Sequence, residues 1–232
     1  MDNYRPYSVN SKKSKLREVI FFLVITFISL VFPALFYSLE SSSFIILALT
    51  TILRNLGLSF LVFWFLKVRG EPFSKIGWTK YKLKRYFILG IALFPLFYFS
   101  VGVVLKGFTR LGLSHLEEVP TSLMPHGVWQ IFWGGLLVLV VAFAEEIIFR
   151  GYLLVRIEEI TESTSMGVLL STVLFSLGHV YEGSAGMVTV AYIGLVFCRL
   201  FLWQKSLTTV IVLHFFTNFV PVVVTPILEF LG

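Results

Sequence analysis

Seven stretches of this sequence are apolar over roughly the 20 residues that a helix needs to cross a bilayer. Inside hydrocarbon every backbone polar group needs an internal partner, so consecutive spans of this kind fold as packed helices. The sequence therefore predicts an all-α, polytopic transmembrane helix bundle of about seven to eight spans. An eighth segment would fall in the amphipathic stretch 107–128. The seven apolar runs lie near 19–39, 43–66, 86–106, 129–154, 166–182, 186–203 and 206–230.

The composition excludes an ordinary soluble domain. Of the 232 residues, 57% are hydrophobic and 14% are charged, which is far from the balance that a water-exposed surface requires. We expect one integral membrane domain in three parts: a basic tail (1–18), N-terminal spans and loops (19–127) and a helical core (128–230). Cys198 is the only cysteine, so an intramolecular disulfide and a cysteine-based metal cage are both excluded.

The charge distribution predicts the orientation in the membrane. The net charge is +6, but the basic residues cluster in the tail 1–18 and in the stretch 67–85, beside spans, so we expect no nucleic-acid partner. Under the positive-inside rule both regions are cytoplasmic, which puts the N-terminus inside and the C-terminus outside. The run 19–39 is longer than the apolar region of a signal peptide and is predicted to be a retained span. The compact length and short loops favour a bacterial plasma membrane as the location.

Three of the apolar runs contain polar residues that are costly to place in hydrocarbon. Such residues normally face the interior of a bundle and carry function. The polar residues are Glu145, Glu146 and Arg150 in the fourth run, His179 in the fifth, and His214 and Asn218 in the seventh. Helical rise puts Glu145, His179 and His214 roughly 13 to 20 Å from the same membrane boundary, so they meet at a similar depth.

Glu146 and Arg150 are four residues apart and share one helix face. We expect Arg150 to neutralise Glu146, while Glu145 points about 100° away and is free for substrate or water. The alternative is that both glutamates cap the cytoplasmic end of the span. The apolar run continues to about Arg156, which argues against a cap at this point.

The two histidines also have structural interpretations. His179 alone is equally well explained as a packed residue bonded to a backbone carbonyl. His214 and Asn218 are four residues apart, so imidazole and amide project together and need a common partner. That partner is either a substrate or a polar group on another helix. Arg54 interrupts the second run. We expect it to face a water-filled cavity, to pair with an acidic group such as Glu146, or to reach an interface because the span is shifted or split.

The segments EEIIFRG, FSLGH and HFFTN resemble, in order, the three motifs of the CPBP family, the CAAX protease and bacteriocin-processing proteins that are also called Abi. Those motifs run Glu-Glu-x-x-x-Arg, Phe-x-x-x-His and His-x-x-x-Asn, and the resemblance covers roughly residues 128–220. It implies an intramembrane endopeptidase of the CAAX prenyl protease type. By this resemblance Glu145 and His179 activate the attacking water, His214 and Asn218 stabilise the oxyanion, and Glu146 and Arg150 support them.

The resemblance leaves substrate and cofactor open. It implies a peptide or lipidated protein as substrate and membrane lipid as a further partner. The candidate roles are CAAX cleavage, processing of secreted peptides and self-immunity to bacteriocins. A variant mechanism binds Zn²⁺ through Glu145, His179 and His214, which are adequate zinc ligands although the HExxH spacing is absent. Two other functions stay open: a non-proteolytic membrane partner or immunity factor, and a proton-coupled transporter. The sequence shows no internal repeat of the kind that transporters use.

Overall fold

The computed structural model of the chain describes residues 11–36, 43–114 and 124–231. The all-α membrane bundle predicted from the sequence is confirmed, with no strand among these residues. Five stretches of the described part are long and apolar enough to cross a membrane. The described part does not include the tail before residue 11. It also lacks residues 115–123, which belong to the stretch in which an eighth segment was expected. The helices are α1 (Lys12–Phe36), α2 (Phe44–Val68), α3 (Leu83–Arg110), α4 (Gly127–Glu145), α5 (Leu154–Thr161), α6 (Thr164–Leu177), α7 (Gly183–Gln204), α8 (Thr208–Phe219) and α9 (Thr225–Leu231).

Each of the seven predicted spans coincides with a helix, but the fifth is short. Helix α6 has 14 residues, which at the usual helical rise is roughly 21 Å, less than the roughly 30 Å of a hydrocarbon core. It ends at Leu177 instead of continuing to residue 182, and a 3₁₀ turn, Val180–Glu182, leads into α7. His179 therefore lies on non-helical backbone at membrane depth, which proteins tolerate where the backbone is buried or lines a cavity.

Helix α4 continues into α5 through a π-helical segment, Glu146–Leu153. Such segments carry i→i+5 hydrogen bonds and occur frequently at functional sites. Ser171 of α6 donates its hydroxyl to the Phe149 carbonyl at 2.6 Å and so adds a bond to the rearranged backbone. The fourth apolar run predicts a plain helix that ends near residue 154. In the structure the helical rod runs over Gly127–Thr161, because the π segment extends the ladder instead of breaking it.

Packing brings the three motif-bearing segments together. Helix α6 packs on α5 and α7, α8 packs on α3 and α4, and α2 packs on α4. A glycine permits the α5–α6 contact, since a Cβ atom on Gly167 would lie 2.8 Å from the Leu154 carbonyl oxygen. Outward-facing aromatic side chains such as Phe60 and Phe99 are exposed, as expected for a surface that meets lipid. The polar interior of this bundle is consequently shared by α4, α6 and α8.

Charged residues at the α5 end of the bundle form a second polar region, which we call the ion network. Arg156, almost fully buried, donates to Glu18 of α1 at 3.0 Å, to Glu71 after α2 at 3.0 Å and to Glu159 at 2.9 Å. Glu18 also accepts from Arg69 and, at 3.1 Å, from the Tyr152 hydroxyl. Lys15 and Lys75 complete the network through Glu159 and Glu71. These bonds fasten α1 and the segment after α2 to α5.

Glu71 shows the balance of forces in this network. Burial raises the pKa of its carboxyl group, but hydrogen bonds from Arg156 and Lys75 favour the ionised form and outweigh burial. The net pKa of Glu71 therefore lies below its ordinary value. The network thus stabilises the fold only while its carboxylates are charged.

Candidate active site

Glu146, Arg150 and His214 form a buried group at the centre of the bundle. Arg150 donates from Nη1 to Glu146 Oε1 at 2.8 Å, so the pair expected from the four-residue spacing is present across the π segment. His214 donates from Nδ1 to the same oxygen at 2.7 Å, since a carboxylate oxygen only accepts. Glu146 and Arg150 are both completely buried. One carboxylate thus connects the first motif to the third.

The second nitrogen of His214 faces Glu145. The distance from His214 Nε2 to Glu145 Oε2 is 3.7 Å, too long for a hydrogen bond. Within the described part of the chain Glu145 Oε2 is buried and has no hydrogen-bond partner, although the side chain as a whole is 18% exposed. A buried carboxylate oxygen without a partner is costly, and groups of this kind are concentrated at functional sites. Glu146 Oε2 also lacks a partner, but Glu146 is completely buried, so Glu145 is the member of the acidic pair that a ligand can reach.

His179 lies just after α6 with its imidazole oriented by the backbone. Nδ1 donates to the Phe175 carbonyl at 2.9 Å, because a carbonyl oxygen only accepts. In the neutral ring this leaves Nε2 as an acceptor. The side chain is half-buried. The backbone contact considered in the sequence analysis is present, but it uses one nitrogen only, and it fixes the ring with the other nitrogen free to accept a proton.

Two phenylalanines frame the polar groups. The Phe175 ring lies 4.9 Å from the His179 ring and 6.2 Å from the His214 ring, measured between centroids, so one side chain contacts both imidazoles. The Arg150 guanidinium lies 4.1 Å from the Phe175 centroid and 5.1 Å from that of Phe197. Such cation–π contacts stabilise a cation away from water. Phe197 has no role in the sequence analysis, because a phenylalanine in an apolar helix carries no signal of its own.

Asn218 follows His214 by one helical turn, as its spacing predicts. It is half-buried and makes no hydrogen bond in the part of the chain that the structure describes. No inter-helix bond from Asn218, the structural alternative for this residue, is found among the described residues. Its amide is therefore available as a donor beside the imidazole.

Arg54 of α2 does not pair with Glu146, whose Oε1 oxygen is bonded to Arg150 and His214. It lies instead close enough to Glu145 to interact with it electrostatically. It also lines a groove of about 470 Å³ between α1 and α2. The groove is lined mostly by apolar side chains and the acidic group near Arg54 is Glu145, so the structure favours neither a water-filled cavity nor a pair with Glu146.

A metal centre does not fit the described residues as they stand. Among them no group of three His, Cys, Asp or Glu side chains is close enough together to hold a metal ion. One nitrogen of His214 is engaged with Glu146 and one nitrogen of His179 with a carbonyl. Zinc binding through Glu145, His179 and His214 stays a prediction, and no chemical step is derived from it.

The fold and the site together define a polytopic membrane protein with a buried acid, imidazole and amide centre. Residues 127–220 match the family model described as type II CAAX prenyl endopeptidase Rce1-like. The resemblance to the CAAX protease family inferred from the three motifs is confirmed over this segment, which carries all six candidate residues. At the level of the family, the match indicates an intramembrane protease. Neither a curated protein nor a solved structure matches the chain.

Proposed function

We propose that this protein is an intramembrane endopeptidase that hydrolyses peptide bonds of membrane-associated proteins or peptides with a water molecule activated by Glu145 and His179. The observation that carries the proposal is the unbonded Glu145 oxygen 3.7 Å from His214 Nε2, beside a Glu146 that is already neutralised by Arg150. A water that is hydrogen-bonded to Glu145 would also lie close to His214 Nε2. A carboxylate in this position suits general base catalysis.

The chemistry follows from the nitrogen and oxygen atoms that remain unbonded. Glu145 accepts a proton from water as the oxygen attacks the peptide carbonyl carbon, and His179 Nε2 holds the water in line. The resulting oxyanion takes hydrogen bonds from the Asn218 amide and from His214 Nε2. The carbon–nitrogen bond then breaks, and the proton held by Glu145 passes to the leaving amine.

The role of His214 requires a proton on Nε2. Nδ1 already donates to Glu146, so an Nε2 donor means an imidazolium. Glu146 contacts that ring and Arg150, and Glu145 lies 3.7 Å from Nε2, so the two carboxylates together balance the two positive charges. This gives Glu146 and Arg150 a supporting role: they hold His214 in the orientation that aims Nε2 at the reacting carbonyl.

The proposed substrate is extended and lipid-associated. The site lies at membrane depth, and a helical peptide hides its carbonyls in its own hydrogen bonds. A substrate that carries a lipid chain is concentrated at that depth by about 0.8 kcal/mol per buried CH₂. We place the protein in a plasma membrane, bacterial in type, with the N-terminus and the entrance of the site on the cytoplasmic side, as the basic segments favour.

A vesicle assay tests activity, side and substrate together. Inverted and right-side-out vesicles receive the same impermeant peptide, with and without an attached alkyl chain, and cleavage products are measured by mass spectrometry. We expect cleavage from the cytoplasmic face, faster for the alkylated peptide, and none with Glu145→Gln. Cleavage from the outer face alone contradicts the orientation, and equal rates for both peptides contradict entry from the lipid.

The zinc variant and the non-proteolytic alternative have their own outcomes. Activity that disappears with a chelator and returns with Zn²⁺ assigns a metal to the reaction. A wild-type protein that cleaves neither peptide but protects cells against a bacteriocin, with Glu145→Gln protecting equally well, assigns the protein to immunity instead of hydrolysis.

A further inference from the structure

Five exposed basic side chains form no ion pair within the described part of the chain. They are Lys80, Lys82, Lys84, Arg85 and Lys205, which we call the basic surface. They lie at the same end of the bundle as the ion network, whose Lys75 belongs to the same α2–α3 connection. The carboxylates there, Glu71 and Glu159, already bond cations of the network. The stretches 72–116 and 183–228 contain no Asp or Glu, so the surrounding protein does not neutralise this surface.

Two hydrogen bonds between the α2–α3 connection and the α7–α8 turn bring these side chains into one area. The Leu207 N–H donates to the Gly77 carbonyl at 3.2 Å, and the Thr209 hydroxyl donates to the Tyr86 carbonyl at 3.0 Å. The first four basic residues lie between Gly77 and Tyr86 in the chain, and the fifth lies two residues before Leu207. The basic surface is therefore built by two segments that are distant in sequence, and it is not a simple run of charges.

The stability of the fold does not account for these charges. Lys82 is the N-cap of α3, and Lys84 and Arg85 lie in the first turn of that helix, which contains no acidic residue. The positive end of the helix macrodipole disfavours cations at these positions. The positive-inside rule favours basic residues at this end of the bundle, but the paired cations of the ion network satisfy that rule equally well. A bound anion would offset the repulsion among the unpaired cations.

Exposed aromatic side chains beside the basic surface indicate that the anion is a membrane lipid. Trp78 and Tyr81 lie on either side of Lys80 in the chain, Trp203 lies two residues before Lys205, and all three aromatic side chains are exposed. Lys82 Nζ lies 4.7 Å from the centroid of the Tyr81 ring. Trp and Tyr concentrate at the level of the lipid headgroups, and clusters of about four to eight Lys or Arg beside a span bind anionic lipid. The combination fits an anionic phospholipid better than a soluble anion.

We propose that the basic surface binds the headgroup of an anionic phospholipid, and that the bound lipid holds the start of α3 against the start of α8. The lipid phosphate accepts charge-assisted hydrogen bonds from the cations of both segments. Helices α3 and α8 pack closely, since a Cβ atom on Gly90 would lie 2.7 Å from the Val212 side chain. His214 and Asn218 lie on α8, so the lipid supports the helix that carries two of the candidate residues.

The test measures thermal melting of the purified protein in a non-ionic detergent. One sample receives phosphatidylglycerol, and the other receives the same amount of phosphatidylcholine, whose headgroup has no net charge. A ligand that binds the folded protein raises the melting temperature, and we expect phosphatidylglycerol to raise it by roughly 2 to 5 °C more than phosphatidylcholine does. The difference should shrink as the salt concentration rises, because salt screens exposed charges. Equal shifts with both lipids overturn the proposal.

Paired substitutions locate the binding. Lys84→Gln with Arg85→Gln should remove most of the difference between the two lipids. The matched control is Lys106→Gln with Arg110→Gln, which removes two exposed charges from the other end of α3 and should leave the difference unchanged. Lys84→Arg with Arg85→Lys keeps both charges and should keep the difference, which separates the effect of charge from damage to α3. Equal losses with the two glutamine pairs assign the effect to net charge and overturn the proposal.

Two soluble anions test the choice of a lipid as the ligand. Inorganic phosphate and polyglutamate are added in place of phosphatidylglycerol, and we expect neither to raise the melting temperature as far. A shift from phosphate that equals the lipid shift assigns the surface to a free anion. An equal shift from polyglutamate assigns it to an acidic protein segment. Either result overturns the proposal.

The activity arm of the test rests on the proposed function. Cleavage of a peptide without net charge should be faster in phosphatidylglycerol vesicles than in phosphatidylcholine vesicles, and Lys84→Gln with Arg85→Gln should lose this gain. Equal rates in the two lipids overturn the support of α8 by the lipid. If wild type cleaves the peptide in neither lipid, the proposed function fails, while the melting measurements still decide whether the lipid binds.

Discussion

Two polar regions inside this bundle both pair glutamates with arginines but differ in how completely their polar atoms are hydrogen-bonded. The buried site consists of Glu145, Glu146, Arg150, His179, His214 and Asn218, and the ion network of Lys15, Glu18, Arg69, Glu71, Lys75, Arg156 and Glu159. Five buried side-chain atoms of the described residues lack a hydrogen bond, and four of them belong to the buried site. They are Glu145 Oε2, Glu146 Oε2, Arg150 Nε and Arg150 Nη2; none belongs to the ion network.

The difference separates a stabilising cluster from a functional one. In the network, each carboxylate has at least two cationic partners, so removal of one leaves others in place. In the buried site Glu146 depends on Arg150 and His214, and Glu145 has no bonded cation. An unbonded buried polar atom costs about 1 to 3 kcal/mol. The buried site contains four such atoms, and a ligand that forms hydrogen bonds with them would offset this cost.

The largest expected effect is the loss of activity on removal of the unbonded groups. Glu145→Gln and His179→Ala should each lower kcat by roughly 10²-fold or more, because loss of an acid–base group has effects of this size. Thermal melting should stay near that of wild type, because neither side chain holds another charged group in place. Purified variants that keep more than about a tenth of wild-type turnover would remove these residues from the chemistry.

Arg150 tests whether the buried site also carries stability. Arg150→Ala leaves the Glu146 carboxylate, at zero exposure, with His214 as its remaining bonded partner, and breaking a buried pair costs about 3 to 5 kcal/mol. The combination Arg150→Met with Glu146→Gln should recover much of that loss, because it leaves no uncompensated charge. Arg156→Ala is the control from the network: Glu18, Glu71 and Glu159 keep other cations, so the loss should be smaller.

Scanning calorimetry or a thermal-shift assay in detergent measures these differences. An Arg150→Ala protein with unchanged melting and a raised KM would contradict the structural role. It would assign Arg150 to substrate binding.

The sequence predicts contacts within a helix better than contacts between helices. Spacing predicts the Glu146–Arg150 pair, because residues four apart on a helix are neighbours. It also predicts the helical bundle, because long apolar runs leave no other fold. The candidate residues themselves stay predictions until variants are measured.

The contacts that the sequence analysis misses join distant parts of the chain. Glu18 and Arg156 are 138 residues apart, and no local pattern brings them together. The π segment at Glu146–Leu153 also has no local sequence signal, because the extra residue that each i→i+5 hydrogen bond encloses depends on packing. The early end of α6 has a local signal in Gly178, which the apolar run around it obscures.

Asn218 tests whether a single unbonded donor of the buried site serves catalysis and not stability. Asn218→Ala removes a donor that has no partner in the described part of the free protein, so stability should change little. If the amide binds the oxyanion, kcat should fall by roughly 10²-fold with little change in KM, as for other oxyanion donors. Asn218→Asp keeps the shape but replaces the donor with a charge, and should be at least as inactive. A stable Asn218→Ala variant with wild-type kcat would exclude an oxyanion role.

The smallest expected effect belongs to the ion network and depends on pH. The pKa of Glu71 is lowered in the folded protein, so folding favours its ionised form. This contribution is complete above the ordinary glutamate pKa of about 4.3 and disappears as the pH falls through the lower folded-state pKa. Because the carboxyl group is partly exposed, it amounts to no more than about 1 kcal/mol.

Glu71→Gln is the variant that isolates this contribution, because the amide keeps the shape of Glu71 but does not titrate. Wild type should lose more thermal stability than Glu71→Gln between about pH 6 and about pH 3, since only wild type carries the carboxylate that acid neutralises. Glu162→Gln is the control, because the Glu162 carboxylate pairs with Lys12 at the surface. The thermal stability of this variant should change with pH as that of wild type does. Melting curves of Glu71→Gln and wild type that stay parallel over the whole range would show that Glu71 does not fasten its segment to α5. The stability of the network would then rest on Glu18 and Glu159, whose bonds to Arg156 do not involve Glu71.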